Sequence, residues 1–222
     1  NVTVPYKNDV IPYLAQIDEL AAKMGSVNTL VRVDGGYKGY NTDMTGLYRA
    51  MSSDGVSIQG EQVIVLGAGG VGRAVAFMCA AKGAAHVWLL NRTVEKADEV
   101  AKEVNLTEGR SCVEALAMSD YDKLPDEKYL VIQSTSVGLY PHVEDAVITD
   151  PAFYHKVKAG YDLIYRPWET RFMQLVKEQG APAYNGLKML LYQGIEAFEL
   201  WNQCKIEDES AYKLYEMLRT TV

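Results

Sequence analysis

Only three cysteines, Cys79, Cys112 and Cys204, occur in 222 residues. They are odd in number and far apart, which excludes a disulfide framework and any zinc-ligand spacing. Free thiols in a reducing cytosol are the simple reading. Long apolar runs are also missing, and none approaches the ~20 residues needed to span a bilayer. Positive charge is scarce: 22 Lys and Arg stand against 29 Asp and Glu, a formal net charge of −7. That balance argues against nucleic acid as the main partner. It leaves room for a small basic pocket that takes an anionic cofactor. The first residues show no signal-peptide organisation. They begin with Asn rather than Met, so the expectation is a fragment or a processed product.

What is present is an ordinary globular composition, 48% hydrophobic and 23% charged. The length suits one large domain or two small ones. Residues 10–24 have apolar residues at helical spacing with Gly25 as a stop, and predict a helix. Residues 27–33 read as a strand, 34–36 as a turn and 37–40 as a short partner strand. Thr42 or Asp43 is expected to cap a helix through Met51. Strands then alternate with helices: strands at 63–66, 86–90, 129–133 and 161–164, helices at 70–82, 94–104 and 169–179. The segment 110–116 is ambiguous. From Leu187 the alternation stops, and two consecutive amphipathic helices cover 187–204 and 207–219. Such alternation implies an α/β fold built on a Rossmann-type, doubly wound parallel sheet. The expected division is a Rossmann domain of residues 44–186, with residues 1–43 and 187–222 joining in a second, smaller domain.

Gly67-Ala68-Gly69-Gly70-Val71-Gly72 fits the G-x-G-x-x-G pattern. It follows an apolar strand and opens a helix, the context in which the pattern binds a dinucleotide. Gly67 permits the tight turn, Gly69 lets backbone approach a pyrophosphate, and Gly72 lets helix and strand pack closely. Free amides at the helix start face the phosphates. Arg73 either adds positive charge or points to solvent. A glycine-rich turn without ligand is the plainer alternative. NAD sites place an acid near the end of the next strand, to hold the ribose 2′-hydroxyl. Here that strand ends in Asn91-Arg92-Thr93. A guanidinium attracts a 2′-phosphate that a carboxylate would repel, so NADP is the favoured cofactor.

A nicotinamide cofactor implies hydride transfer, and the protein must then manage a proton. No metal constellation is present. His86 opens a strand, His142 follows Tyr140-Pro141 in a loop, and His155 falls in a polar helical stretch, so all three are poor proton donors to a substrate. Polar stretches lie instead at residues 1–7, 26–29 and 39–43. Lys7 and Asp43 supply a cation and an anion for a proton-handling pair, or else a salt bridge that joins two loops.

Eight stretches in order, "NVTVPYK", "GSVNTL", "GYNTDMTGL", "VLGAGGVGRA", "NRT", "STSVGLYP", "DLIYRPWET" and "NGLKMLLYQGIEAFELW", resemble the shikimate dehydrogenase family. The resemblance spans nearly the whole chain. It implies a substrate domain and a Rossmann domain, and NADP-dependent reduction of 3-dehydroshikimate to shikimate on the route to aromatic amino acids. It implies that Lys7 is the catalytic lysine and Asp43 its paired aspartate. Thr3, Asn28, Tyr165 and Gln193 match residues that contact the substrate. Thr135, Ser136 and Val137 match the loop beside the cofactor, and Gly186 a position near the nicotinamide. A cytoplasmic monomer or homodimer is expected, with a small-molecule substrate and neither nucleic acid nor membrane as partner. A quinate/shikimate dehydrogenase using NAD or NADP is the close alternative; a non-catalytic nucleotide-binding module is the distant one.

The chain departs from the family pattern in three places. The family carries roughly 60 further residues ahead of "NVT", about one strand-helix unit of common size. They include an S-x-S-P segment for the substrate carboxylate, so the substrate domain is expected to be incomplete here. Gln133-Ser134 stands where the family usually has Asn-Ala, and Arg166 follows Tyr165.

Overall fold

The computed structural model describes residues 1–221. Backbone contacts divide them into two compact units: Asn1–Gly55 together with the chain from Lys188 onward, and Val56–Leu187. The helix at 42–53 therefore lies wholly in the first unit, where a boundary after residue 43 would have cut through its first turn.

The second unit is an open sheet of six parallel strands. They are β4 (Gln62–Leu66), β5 (His86–Asn91), β6 (Val113–Ala117), β7 (Tyr129–Gln133), β8 (Val157–Asp162) and β9 (Ala183–Tyr184). Their spatial order is β6-β5-β4-β7-β8-β9, with every pairing parallel. The order reverses at β4, whose neighbours are β5 on one side and β7 on the other. That reversal opens a crevice beyond the strands' carboxyl ends, where such sheets bind ligands. Helices α3 (Gly70–Ala81), α4 (Val94–Glu108), α5 (Pro151–Tyr154) and α6 (Arg171–Glu178) complete the crossovers. Val63, Ile64, Val65 and Leu66 are fully buried, as a strand covered on both faces requires. Tyr129, Phe153, Tyr154 and Phe172 pack together under α5 and α6.

The first unit carries a three-stranded sheet of order β1-β3-β2, from β1 (Gln16–Ile17), β2 (Thr29–Val33) and β3 (Gly36–Tyr40). Its helices are α1 (Glu19–Met24), α2 (Thr42–Ser53), α7 (Leu187–Asn202) and α8 (Asp208–Arg219).

The structure corrects the reading of several elements. Residues 10–24 do not form one helix. The first part is a single 3-10 turn, Ile11–Tyr13, and the chain turns extended at Leu14, ψ 141°. Gln16 and Ile17 instead pair with Lys38 and Gly39. The helix starts only after Asp18, whose carboxylate accepts from the amides of Leu20 and Ala21. Gly25 does end it, in the left-handed conformation at φ 58°. Asn41, rather than Thr42 or Asp43, caps α2 by accepting from the Met44 amide at 3.2 Å. The ambiguous segment 110–116 carries most of β6, Val113–Ala117. The strand expected at 161–164 is β8 and begins at Val157, its start disguised by the polar Lys158, which pairs with Glu61.

Candidate active site

Lys7 and Asp43 meet. Lys7 Nζ donates to Asp43 Oδ2 at 2.7 Å across 36 positions of sequence. Asp43 stands in the first turn of α2, where a negative charge also suits the helix dipole. The Lys7 carbonyl accepts from the Val27 amide at 2.9 Å, which fixes the segment carrying the lysine against the entrance to β2. Both side chains line a cavity of about 270 Å³ in the first unit, together with Thr3, Asn28, Thr42 and Gln193. Five of the six side chains expected at the reacting pair and the substrate thus surround one space; the sixth, Tyr165, belongs to the second unit.

Asn28 is held by a buried polar cluster. Its Oδ1 accepts from the Thr42 amide at 2.8 Å and from the Thr29 hydroxyl at 3.0 Å. Those bonds fix the amide's orientation and leave Nδ2 as the donor without a described partner. The Thr29 and Thr42 hydroxyls lie 3.1 Å apart. Asn41 Nδ2 donates to the Ser26 carbonyl at 3.0 Å and joins the α2 cap to the same strand entrance. Thr29 and Asn41 were not singled out from the sequence, and Thr42 only as a candidate helix cap. Their signal was the polar density of "SVNT" and "YNTD", which identifies the neighbourhood and not the bonds.

In the second unit the glycine loop lies between β4 and α3. Gly67 has φ 103°, a conformation that disfavours any side chain. A Cβ on Gly72 would stand 1.9 Å from the Gly67 carbonyl oxygen, so this helix-loop contact requires glycine. A Cβ on Gly69 would meet nothing within 4 Å, so the protein leaves open space beside that backbone. No side chain caps α3 at Gly69. The first-turn amides at Gly70, Val71 and Gly72 are thus available to an anion. The Ala68 amide is already taken, donating to Asn91 Oδ1 at 3.1 Å.

Asn91 links the end of β5 to the glycine loop, for its Nδ2 also donates to the Thr93 carbonyl at 2.8 Å. Arg92 is exposed, with no ion pair or hydrogen bond among the described residues. Thr93 is the N-cap of α4, yet its hydroxyl makes no capping bond. A free guanidinium and a free hydroxyl therefore flank a second helix start. Arg73 does not join them: it is paired with Glu103 and lies over the Phe77 ring.

Beyond β7 the loop doubles back. The Val137 amide donates to Thr135 Oγ1 at 3.1 Å, and Ser136 and Val137 are exposed. Ser134 Oγ donates to the Leu66 carbonyl at 2.7 Å, tying this loop to the end of β4. Tyr165 is 39% exposed on the segment after β8. The Gly186 amide donates to the Ile164 carbonyl at 2.9 Å, and a Cβ there would stand 2.2 Å from the Leu163 oxygen.

The sequence shows further kinship. The substrate-binding-domain model of shikimate dehydrogenase matches residues 1–30, the shikimate / quinate 5-dehydrogenase model residues 50–148, and the shikimate 5'-dehydrogenase C-terminal-domain model residues 186–212. The shikimate dehydrogenase (NADP(+)) of Moorella thermoacetica is 40% identical over 203 residues, covering 90% of this chain and 68% of the relative. The chain belongs to the shikimate dehydrogenase family.

Solved members share its fold. A chorismate mutase/shikimate 5-dehydrogenase fusion protein from Clostridium acetobutylicum superposes with TM-score 0.87 at 32% identity, over all of this chain and 77% of that one. The shikimate 5-dehydrogenase of Listeria monocytogenes, in complex with shikimate and NAD, also gives 0.87, at 28% identity over 96% and 76%.

All three histidines belong to the second unit. His86 packs on Trp88 with ring centroids 4.8 Å apart, and burial pushes its pKa down despite Glu114. His155 ends the short α5 rather than lying within a polar helix. Cys79 and Cys112 are buried and Cys204 is exposed, and none is paired. Among the described residues there is no cluster able to hold a metal and no helix long and apolar enough to cross a membrane.

Proposed function

We propose that this member of the family catalyses the reversible, NADP-dependent reduction of 3-dehydroshikimate to shikimate. The observation that carries the reading is the Lys7–Asp43 pair, which lines one cavity with Thr3, Asn28 and Gln193. The first unit is the substrate domain and the second the NADP domain. Thr3, Asn28 and Gln193 contact the substrate's hydroxyl and carboxylate groups, with Tyr165 as a further contact.

The residues of the second unit suit NADP. Open space beside Gly69 and uncapped amides at Gly70–Gly72 suit the pyrophosphate, with Gly67, Ala68 and Val71 completing the loop. Asn91, Arg92 and Thr93 would hold the 2′-phosphate side, the arginine giving a charge-assisted bond. Thr135, Ser136, Val137 and Gly186 would border the nicotinamide. When bound, the cofactor supplies the hydride that reduces the C3 carbonyl.

Lys7, as an ammonium, stabilises the negative charge that develops on the substrate's C3 oxygen and donates the proton that completes the alcohol. Asp43 holds that ammonium in place. In the oxidative direction Lys7 takes the same proton back. The enzyme acts in the cytoplasm as a monomer or homodimer. Steady-state reduction of NADP by shikimate, with quinate and NAD as competitors for the assignment, tests the reading. Absent turnover with an intact fold would refute it.

A further inference from the structure

The carboxylate of Asp162 is completely buried at the carboxyl end of β8 and has no cation bonded to it among the described residues. It accepts three hydrogen bonds from neutral donors: the Thr170 hydroxyl at 2.6 Å, the Ile164 amide at 3.0 Å and Gln133 Nε2 at 3.3 Å. The partners belong to two stretches of backbone, Gln133 at the end of β7 and Ile164 and Thr170 after β8. Gln133, itself fully buried, also donates to the Val137 carbonyl at 3.2 Å and accepts from the Thr135 amide at 2.5 Å. Its one side chain therefore shapes the whole turn that carries Thr135, Ser136 and Val137. On the other side, Ile164 and Thr170 bracket the segment that carries Tyr165. Thr170 caps α6 by accepting from the Met173 amide at 3.3 Å, so the same hydroxyl anchors that helix to the carboxylate.

Burying a carboxylate without a cation is costly. Burial pushes this one up to about 6, even though its three donors pull it down. An apolar side chain would fill the site at lower cost, so the acid is better explained by what it holds.

We propose that Asp162 is a positioning residue that aligns two functional loops at once. Through Gln133 it sets the turn 134–138, and through Ile164 and Thr170 it sets the segment 163–170. The inference rests on the dehydrogenase reading above, in which the first loop borders the cofactor and the second supplies Tyr165 to the substrate. It also explains why a glutamine occupies position 133: its length lets one amide reach the Thr135 and Val137 backbone and the carboxylate together.

The test separates the two arms. Gln133→Leu cuts the cofactor arm and Thr170→Val the substrate arm. Asp162→Leu cuts both, while Asp162→Asn keeps an oxygen for Ile164 and Gln133. In the full chain, Gln133→Leu is expected to weaken NADPH, titrated by fluorescence, at least fivefold, with the KM for shikimate within twofold. Thr170→Val is expected to do the reverse. Asp162→Leu should lower kcat at least tenfold and raise both constants, with Asp162→Asn restoring kcat to within about threefold of the parent. Amide exchange at Thr135 should accelerate at least fivefold in Gln133→Leu and stay within twofold in Thr170→Val. If Gln133→Leu and Thr170→Val lower the melting temperature but leave both binding constants within twofold, the carboxylate is merely structural and the proposal falls. Should the parent not turn over shikimate, the dehydrogenase reading fails by itself. NADPH affinity and Thr135 exchange still decide whether the clamp exists.

Discussion

Lys7 Nζ and Asp43 Oδ2 stand 2.7 Å apart, although one belongs to an irregular N-terminal segment and the other to the first turn of a helix. Both are partly shielded, with side chains 25% and 16% exposed, so the pair retains access to a ligand while being screened less than a surface pair. If Lys7 is the proton donor, Lys7→Met keeps the aliphatic stem and removes the proton. The expected result is a fall in kcat of about 10²- to 10⁴-fold, the usual range for a general acid. The KM for shikimate should change little. Steady-state kinetics decide it, and a kcat within twofold of the parent would remove Lys7 from the chemistry.

Arg92 has no partner to lose within the described protein. Arg92→Ala should therefore leave the melting temperature unchanged. It should raise the KM for NADP about tenfold, equivalent to ~1.4 kcal/mol, and leave the constant for NAD where it was. Equal losses for both cofactors would contradict a role at the 2′-phosphate.

Two glycines three residues apart, the N-cap Gly69 and the first-turn Gly72, make opposite predictions. Gly69→Ala adds a methyl group that meets no protein atom within 4 Å. It should melt like the parent while NADP affinity drops at least tenfold. Gly72→Ala drives a methyl group to 1.9 Å from a backbone oxygen. It should destabilise the protein by about 1–3 kcal/mol, the usual cost of forced repacking. Thermal melting and NADPH titration on both variants check the contrast. Gly69→Ala binding NADPH normally would place the pyrophosphate elsewhere.

Asp162 makes stability depend on pH with a definite sign. Its carboxyl titrates at 3.8 when free and at about 6 in the fold. Between those values the folded state binds more protons, so stability falls as pH rises through this window. The contribution is fully present below the free value, is lost by about pH 7, and is on the order of 3 kcal/mol. Asp162→Asn has no such titration. Its stability relative to the parent should therefore increase from pH 4.5 to pH 7.5, measured by denaturant melts. A difference that does not vary with pH would show that Asp162 titrates normally.

How far these groups could be read from sequence depended on how local their cause was. Strands β4 and β7 were plain, because burial on both faces forces an unbroken apolar run such as Val63–Leu66. Asn91-Arg92-Thr93 was legible because a strand end is a fixed place relative to the glycine loop. The first helix was misplaced because Val10, Ile11, Leu14 and Ile17 fit a helical period, while the pairing of Gln16 and Ile17 with a distant strand overrules it. Lys158 hid the start of β8 for the same reason: pairing with β7, not local propensity, places it. The Lys7–Asp43 pair was named by the chemistry required and by family resemblance, since spacing alone left it open. Asp162 was invisible, because an aspartate ending a strand looks like ordinary surface until the fold covers it.

The second unit interrupts the first: the chain leaves at Gly55 and returns at Lys188. Synthesis is vectorial, and domains tend to fold as they emerge. The residues of all six strands are therefore synthesised before those of α7. The cavity around Lys7 and Asp43 takes Gln193 from that helix, so its wall closes last. The dinucleotide-binding unit is thus encoded in one uninterrupted stretch, while the place for a hydroxylated carboxylic acid needs chain from both sides of it.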